Sequence, residues 1–289
     1  MESGEKRAAD LTQMEVQHGN EAWWSKNPMA YDWRGENEAE RFSTQWFDEI
    51  DKRFLHGARL FATRDRPFDQ LIPFERLAGA RVLEIGCGMG LHSELLTRAG
   101  ADLTSIDISP TSIEATRRRL DLRGLPANAV QMDAERLEFG DRSFDFVWSW
   151  GVIHHSSRTA RVVREIARVL AKSGEVRVMV YNREGLPARL TLLKDHVLRG
   201  GFLKRSFEET LYRCTDGFTA RYYVPEQFED LFRGFFDDVS TQILGQEADA
   251  VPLPRKLRAI ALRLVPEDYL RRAQARRGGF VFLRASKPV

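Results

Sequence analysis

Several things are scarce in this chain of 289 residues, and each scarcity excludes something. It has only two cysteines, Cys87 and Cys214, too few for a disulfide framework or a cysteine-based metal site. One of them lies inside a glycine-rich turn where a bridge would be awkward, which fits a reducing compartment. No apolar run approaches the roughly 20 residues that a membrane-spanning helix needs. The leading Met1-Glu2-Ser3-Gly4-Glu5-Lys6 lacks the basic-then-apolar order of a secretory signal, so a cytoplasmic location is expected. Excess charge of one sign is missing too. Lys and Arg number 44 against 42 Asp and Glu, a formal net charge of +2, which gives no bulk attraction for nucleic acid. There is no clear signature of carboxylate metal ligation, so metal independence is expected.

The densest information lies in Arg81–Gly90. Val82, Leu83 and Ile85 read as a buried strand, and Gly86, Gly88 and Gly90 as a tight turn into a helix. Glycine suits that turn because a Cβ would block positive φ and the close approach of a ligand to the backbone. A dinucleotide-type G-x-G-x-x-G would need a third glycine at position 91, which is Leu91. Downstream, Asp102–Asp107 reads as a second strand ending in a carboxylate, with Ser109-Pro110 opening a helix. A carboxylate at that strand end can accept both ribose hydroxyls of an adenosine; the alternative is a loop cap.

Ala129–Ala134 reads as a third strand with Asp133 at its end, and Phe144–Ser149 as a fourth, followed by Trp150–His155. A helix with apolar positions Val162, Val163, Ile166, Val169 and Leu170 comes next, closed by Lys172-Ser173-Gly174. Glu175–Tyr181 is a fifth strand. Strands alternating with helices predict parallel pairing with right-handed crossovers. Ligands in such sheets sit at the carboxyl ends of the strands, where strand order reverses.

Taken together, Glu84-x-Gly86-x-Gly88-x-Gly90 and the motifs after it resemble the class I S-adenosylmethionine-dependent methyltransferases. The resemblance covers nearly the whole chain and is best between Val82 and Tyr181. It implies an α/β, Rossmann-like, seven-stranded and mostly parallel sheet with helices on both faces. The last strand, Phe280–Ala285, would be inserted antiparallel between strand five and a sixth strand, Asp238–Leu244. It implies S-adenosyl-L-methionine as cofactor, held by Glu84, Gly86, Cys87, Gly88 and Gly90 of the loop, by Asp107 and Ile108, by Asp133 and Ala134 at the adenine, and by Ser149 and Trp150. The acceptor would meet Tyr31, His154 and Tyr181.

The flanks carry what the resemblance does not explain. Residues 1–20 are polar and expected to be loose. From residue 21 to 78 the chain is rich in aromatics, including Trp23, Trp24, Trp33, Trp46, Phe54 and Phe61. Members of the family it resembles carry helices there that pack over cofactor and substrate, which implies a helical lid; most of its rings are expected simply to dock on the core. The methyltransferase domain follows over residues 79–289. An insertion at 183–224 would cap the substrate. A second, at 246–279, has eight Arg and Lys between positions 255 and 277 against Glu267 and Asp268. Its stripe of Leu257, Ile260, Ala261 and Leu264 is expected to pack on the domain, the alternative being contact with a membrane surface or anionic substrate.

Methyl transfer from a sulfonium needs alignment and exclusion of water, and a base only when the acceptor is protonated. His154 and His155 are the candidate bases; they can equally be scaffold, one bonding backbone and the other lining the pocket. The expected activity is methylation of an O, N or C atom of a small-molecule metabolite. A lipid or quinone acceptor, or a binding protein without turnover, are the alternatives. Nucleic acid is not expected, since Ser149-Trp150-Gly151-Val152 stands where an amine-clamping Asn-Pro-Pro-Tyr would be. Oligomeric state is left open.

Overall fold

Strands form where short apolar runs stand between turn residues. In the computed structural model, which describes residues 11–32, 35, 37–62 and 66–289, they are β1 Arg81–Ile85, β2 Asp102–Asp107, β3 Ala129–Gln131, β4 Phe144–Trp150, β5 Leu170–Asn182, β6 Tyr222–Tyr223, β7 Phe236–Leu244 and β8 Phe280–Pro288. The helices are α1 Gln13–Lys26, α2 Thr44–Ala58, α3 Leu91–Arg98, α4 Pro110–Leu122, α5 Thr159–Val169, α6 Leu186–Thr191, α7 Phe207–Arg213, α8 Pro225–Arg233, α9 Glu247–Ala250, α10 Arg255–Ala261 and α11 Glu267–Arg277.

The sheet runs β3-β2-β1-β4-β5-β8-β7. β1 pairs parallel with β2 and β4, and β8 pairs antiparallel with β5 and β7. This is the expected Rossmann-like sheet with one addition. The two-residue β6 lies parallel to the end of β5, Tyr181 opposite Tyr222, so the strands expected sixth and seventh are β7 and β8. β3 is shorter than expected, because Met132–Ala134 leave the ladder. The expected turn at Lys172–Gly174 is absorbed into the start of β5, where the register against β4 shifts between Phe144 and Phe146.

Side chains alternate across a strand, and here both faces are covered. Leu83, Ile85, Val147, Val176 and Val178 face α5 and α8, whose Val162, Ile166, Phe228 and Phe232 are fully buried. Val82, Phe146, Trp148 and Phe282 face the amino-terminal segment, which supplies Phe54, Phe61, Phe68, Leu71 and Ile72. The aromatic segment therefore supplies one layer of the core.

α2 begins at Ser43, whose hydroxyl accepts the Trp46 amide, and buries Trp46, Phe47, Ile50 and Phe54 at helical spacing. It is pinned to α4 by Arg119, which is 1% exposed. That guanidinium donates to both Asp51 oxygens, one at 2.8 Å, and to Glu94 at 2.8 Å.

The expected loose segment needs correction. α1 starts at Gln13 behind a Thr12–Glu15 capping box, so residues 13–20 are helical; residues 1–10, like Trp33, lie outside the described residues. The expected packing of the basic insertion's apolar stripe holds only for Ala261, which packs against the cluster of Leu60, Val251 and Leu270; Leu257, Ile260 and Leu264 are 55%, 59% and 81% exposed. Part of its basic charge is structural. Arg271 donates to the carbonyls of Leu60 and Ala62, and Arg277 to that of Ala250. Among the described residues, no helix is long and apolar enough to cross a membrane.

Candidate functional site

β1, β2 and β3 progress in one direction across the sheet, and β4 and β5 in the other. A crevice opens where the order reverses, at the carboxyl ends of β1 and β4. A cavity of about 500 Å³ fills it.

The glycine loop forms its floor. The Gly86 and Cys87 amides donate to the Ile106 carbonyl, at 2.7 and 3.1 Å. A Cβ on Gly86, at φ +81°, would overlap the Val152 side chain, whereas one on Gly88, at φ +51°, would meet nothing within 4 Å. The first glycine serves packing; the second leaves room at the cavity wall.

On the β2 side, the Asp107 carboxylate accepts the amides of Gly88 (3.0 Å) and Ser109 (2.9 Å). Burial pushes its pKa up, against those amides, which favour the charged form. Asp133, beyond β3, accepts the Gln17 amide at 2.9 Å on both oxygens and the Glu135 backbone N–H at 2.8 Å. Ile108 and Ala134 line the wall beside these two carboxylates.

On the β4–β5 side stand Trp150, His155, Tyr181 and Tyr222. His155 Nδ1 lies 2.6 Å from the Thr219 carbonyl. A carbonyl only accepts, so Nδ1 carries the proton and Nε2 keeps its lone pair, with no hydrogen-bond partner. Burial lowers the His155 pKa, the Thr219 bond and Asp216 acting the other way. The Tyr181 hydroxyl donates to Asp216, 2.7 and 2.8 Å from its two oxygens. Tyr31, at φ +52° in the bend between α1 and α2, stacks on Phe54 with centroids 4.7 Å apart and also lines the cavity.

The arrangement suits a cationic adenosyl ligand. The walls carry five aspartates and, among the described residues, no lysine or arginine. Two acceptor carboxylates flank one end, an open glycine backbone the middle, and aromatic rings the other end.

The family model of the methyltransferase domain matches residues 83–178. The chain is 31% identical to the ubiquinone biosynthesis O-methyltransferase of Sinorhizobium fredii, over 57% of this chain and 71% of that one. The chain belongs to the class I S-adenosylmethionine-dependent methyltransferases. The enzyme of the same description from Methylobacterium sp. is 32% identical, over 50% of this chain and 61% of its own. The chain spans about half the length of most of the curated relatives it matches. In fold, the chain is similar to the [4+2]-cyclase SpnF, with a TM-score of 0.54 and 20% identity over 95% of this chain and 97% of that one.

Four residues expected at the site stand behind the cavity wall. Glu84 shares its strand face with Val82, so it points under α3, where it accepts the hydroxyls of Ser93 and Ser105 (2.8 Å for Ser105). Burial pushes its pKa up to about 7, the two hydroxyls opposing that shift. Gly90 packs on Thr116 and Arg119, and Ser149 donates to the Ile85 carbonyl at 3.2 Å. His154, expected as base and acceptor contact, is 1% exposed and is wedged between His155 and Tyr181, centroids 4.2 and 4.1 Å away. Burial holds it neutral. Of the pair, His155 is the one on the cavity.

Sequence reasoning missed residues that fold onto the cavity from the flanks. Gln17, Asn20 and Trp24 share one face of α1: Gln17 holds Asp133, Asn20 donates to the His155 carbonyl at 2.6 Å, and Trp24 packs edge-on against the His155 ring, centroids 5.2 Å apart. The Thr12-x-x-Glu15 capping box was the available signal for that helix. Asp216 sits in a loop of the 183–224 insertion, and nothing local marks it.

Proposed function

We propose that the protein transfers the methyl group of S-adenosylmethionine to an O, N or C atom of a small-molecule acceptor by in-line displacement. The observation that carries this reading is one cavity with an adenosyl-binding end at Asp107 and Asp133 and a base-bearing aromatic end at His155 and Tyr181. The cofactor supplies an electrophilic methyl on a sulfonium. Asp107 accepts the ribose hydroxyls, Asp133 the adenine amine, and the open backbone at Gly88 admits the methionine part. α1 and the rings of Trp24, Tyr31 and Trp150 exclude water. His155 Nε2 takes the proton when the acceptor needs to lose one, and His154 fixes the rings of His155 and Tyr181. We read the protein as cytoplasmic, supported by the free thiols of Cys87 and Cys214.

A second reading, a quinone or lipid acceptor met at a membrane surface, is favoured by the outward Leu257, Ile260 and Leu264 beside Lys256, Arg258 and Arg263, and by the ubiquinone-pathway relatives.

Transfer of labelled methyl from S-adenosylmethionine into a host extract tests both. Label in water-soluble small molecules supports the main reading, label in the lipid fraction the second. Absence of label anywhere, with the cofactor bound, would count against both.

A further inference from the structure

The five aspartates of the cavity are not equivalent. Asp51 is neutralised by Arg119. Asp107 and Asp133 face the adenosyl end and are held by amides. Asp249 accepts the backbone N–H groups of Gln246 and Gly279, at 2.9 and 3.1 Å. Among the described residues Asp216 is held only by hydroxyls, that of Tyr181 and, at 3.1 Å, that of Thr215. A carboxylate offers about four lone-pair sites, so acceptor capacity is left over beside the cavity. Tyr31, Tyr181 and Tyr222 line the wall around it, with the Tyr181 and Tyr222 centroids 5.4 Å apart. Burial and the Asp216 charge push the phenol pKa of Tyr31 and Tyr181 up, so both stay protonated and uncharged. An anion enclosed by neutral aromatic faces, with no lysine or arginine on the walls among the described residues, is built for a cation.

We propose that Asp216, with Tyr31, Tyr181 and Tyr222, forms a subsite that docks a protonated amine of the methyl acceptor. The subsite rests on the methyltransferase reading of the cavity and adds to it the acceptor's charge. Carboxylate or phosphate-bearing acceptors are repelled by the same arrangement.

The test uses the full chain saturated with S-adenosylhomocysteine, whose own binding is measured first; failure there removes the methyltransferase reading, not the subsite alone. Benzylamine, benzyl alcohol and benzoate are then titrated in turn, with binding followed by ligand-observed NMR. Benzylamine is expected to bind at least tenfold more tightly than the alcohol, and benzoate most weakly. In Asp216→Asn that preference is expected to vanish while S-adenosylhomocysteine affinity stays within threefold. Equal binding of amine and alcohol, including no binding of either, or an amine preference that survives in Asp216→Asn, would overturn the proposal.

Discussion

Alanine at the first two glycines of the loop should separate folding from ligand binding. Both positions have positive φ. An alanine there costs about 1–2 kcal/mol in the folded state, of which roughly 0.4–1 kcal/mol is returned by stiffening the unfolded chain. At Gly88 nothing lies within 4 Å of the new methyl, so the net cost is about 1 kcal/mol and the melting temperature falls by roughly 2–4 °C. The methyl does stand where a ligand would lie along the loop. S-adenosylhomocysteine should bind at least tenfold more weakly, about 1.4 kcal/mol. At Gly86 the methyl overlaps Val152. Overpacking adds about 1–3 kcal/mol, so Gly86→Ala should melt roughly 5–15 °C below the parent. Differential scanning fluorimetry and isothermal calorimetry read the two effects separately. A Gly88→Ala protein that binds S-adenosylhomocysteine as tightly as the parent would refute the assignment of the loop as the ligand's cradle.

Three further outcomes are expected. His155→Gln should lower kcat by about 10²–10⁴-fold for an acceptor that must lose a proton. The acid limb of the parent's rate should lie below pH 6.5, because burial depresses this histidine, and should disappear in the variant; an unchanged pH profile would make His155 scaffold. Arg119→Ala leaves Asp51 and Glu94 without their buried partner and should cost about 3–5 kcal/mol in urea denaturation, so a loss under 1 kcal/mol would contradict the clamp between α2 and α4. His92, boxed by Phe54, Phe68 and Trp148, is pushed down to about 3 by burial, with Arg119 adding to the shift. The unfolded chain takes that proton near pH 6.5 and the folded one only near 3, so stability drops by about 1.4 kcal/mol per pH unit across that window. His92→Leu should flatten the acid slope by that amount, whereas Glu84, raised to about 7, contributes a loss of the opposite sense as pH rises through 4.5–7.

The sheet was legible because parallel strands buried on both faces are written as short uninterrupted apolar runs, as in Val82–Ile85 and Phe144–Trp148. β6 was not, since two tyrosines carry no periodicity and pair only after the insertion folds back on β5. α1 was misread because it docks through polar groups. It buries only Val16 and Asn20, and Gln17 and Asn20 hold it by hydrogen bonds that leave no apolar stripe to read. The position of Glu84 could have been deduced from strand alternation, which sets it with Val82 and opposite Leu83 and Ile85. Asp216 could not, because its meeting with Tyr31, Tyr181 and Tyr222 joins the amino-terminal segment, β5 and the insertion across long stretches of sequence. The exposed stripe of α10 looks in sequence like any amphipathic helix, and only the fold says which side faces out.

The central claim is that the carboxylate at the end of β2 anchors an adenosyl ligand in this cavity. Calorimetric titration of S-adenosylhomocysteine into the parent and into Asp107→Ala tests it most directly. One site per chain is expected in the parent, with affinity reduced about 100-fold or more in the variant, the loss of two charge-assisted hydrogen bonds of roughly 1.5–3 kcal/mol each. No binding to the parent, or equal binding to both proteins, would contradict the account.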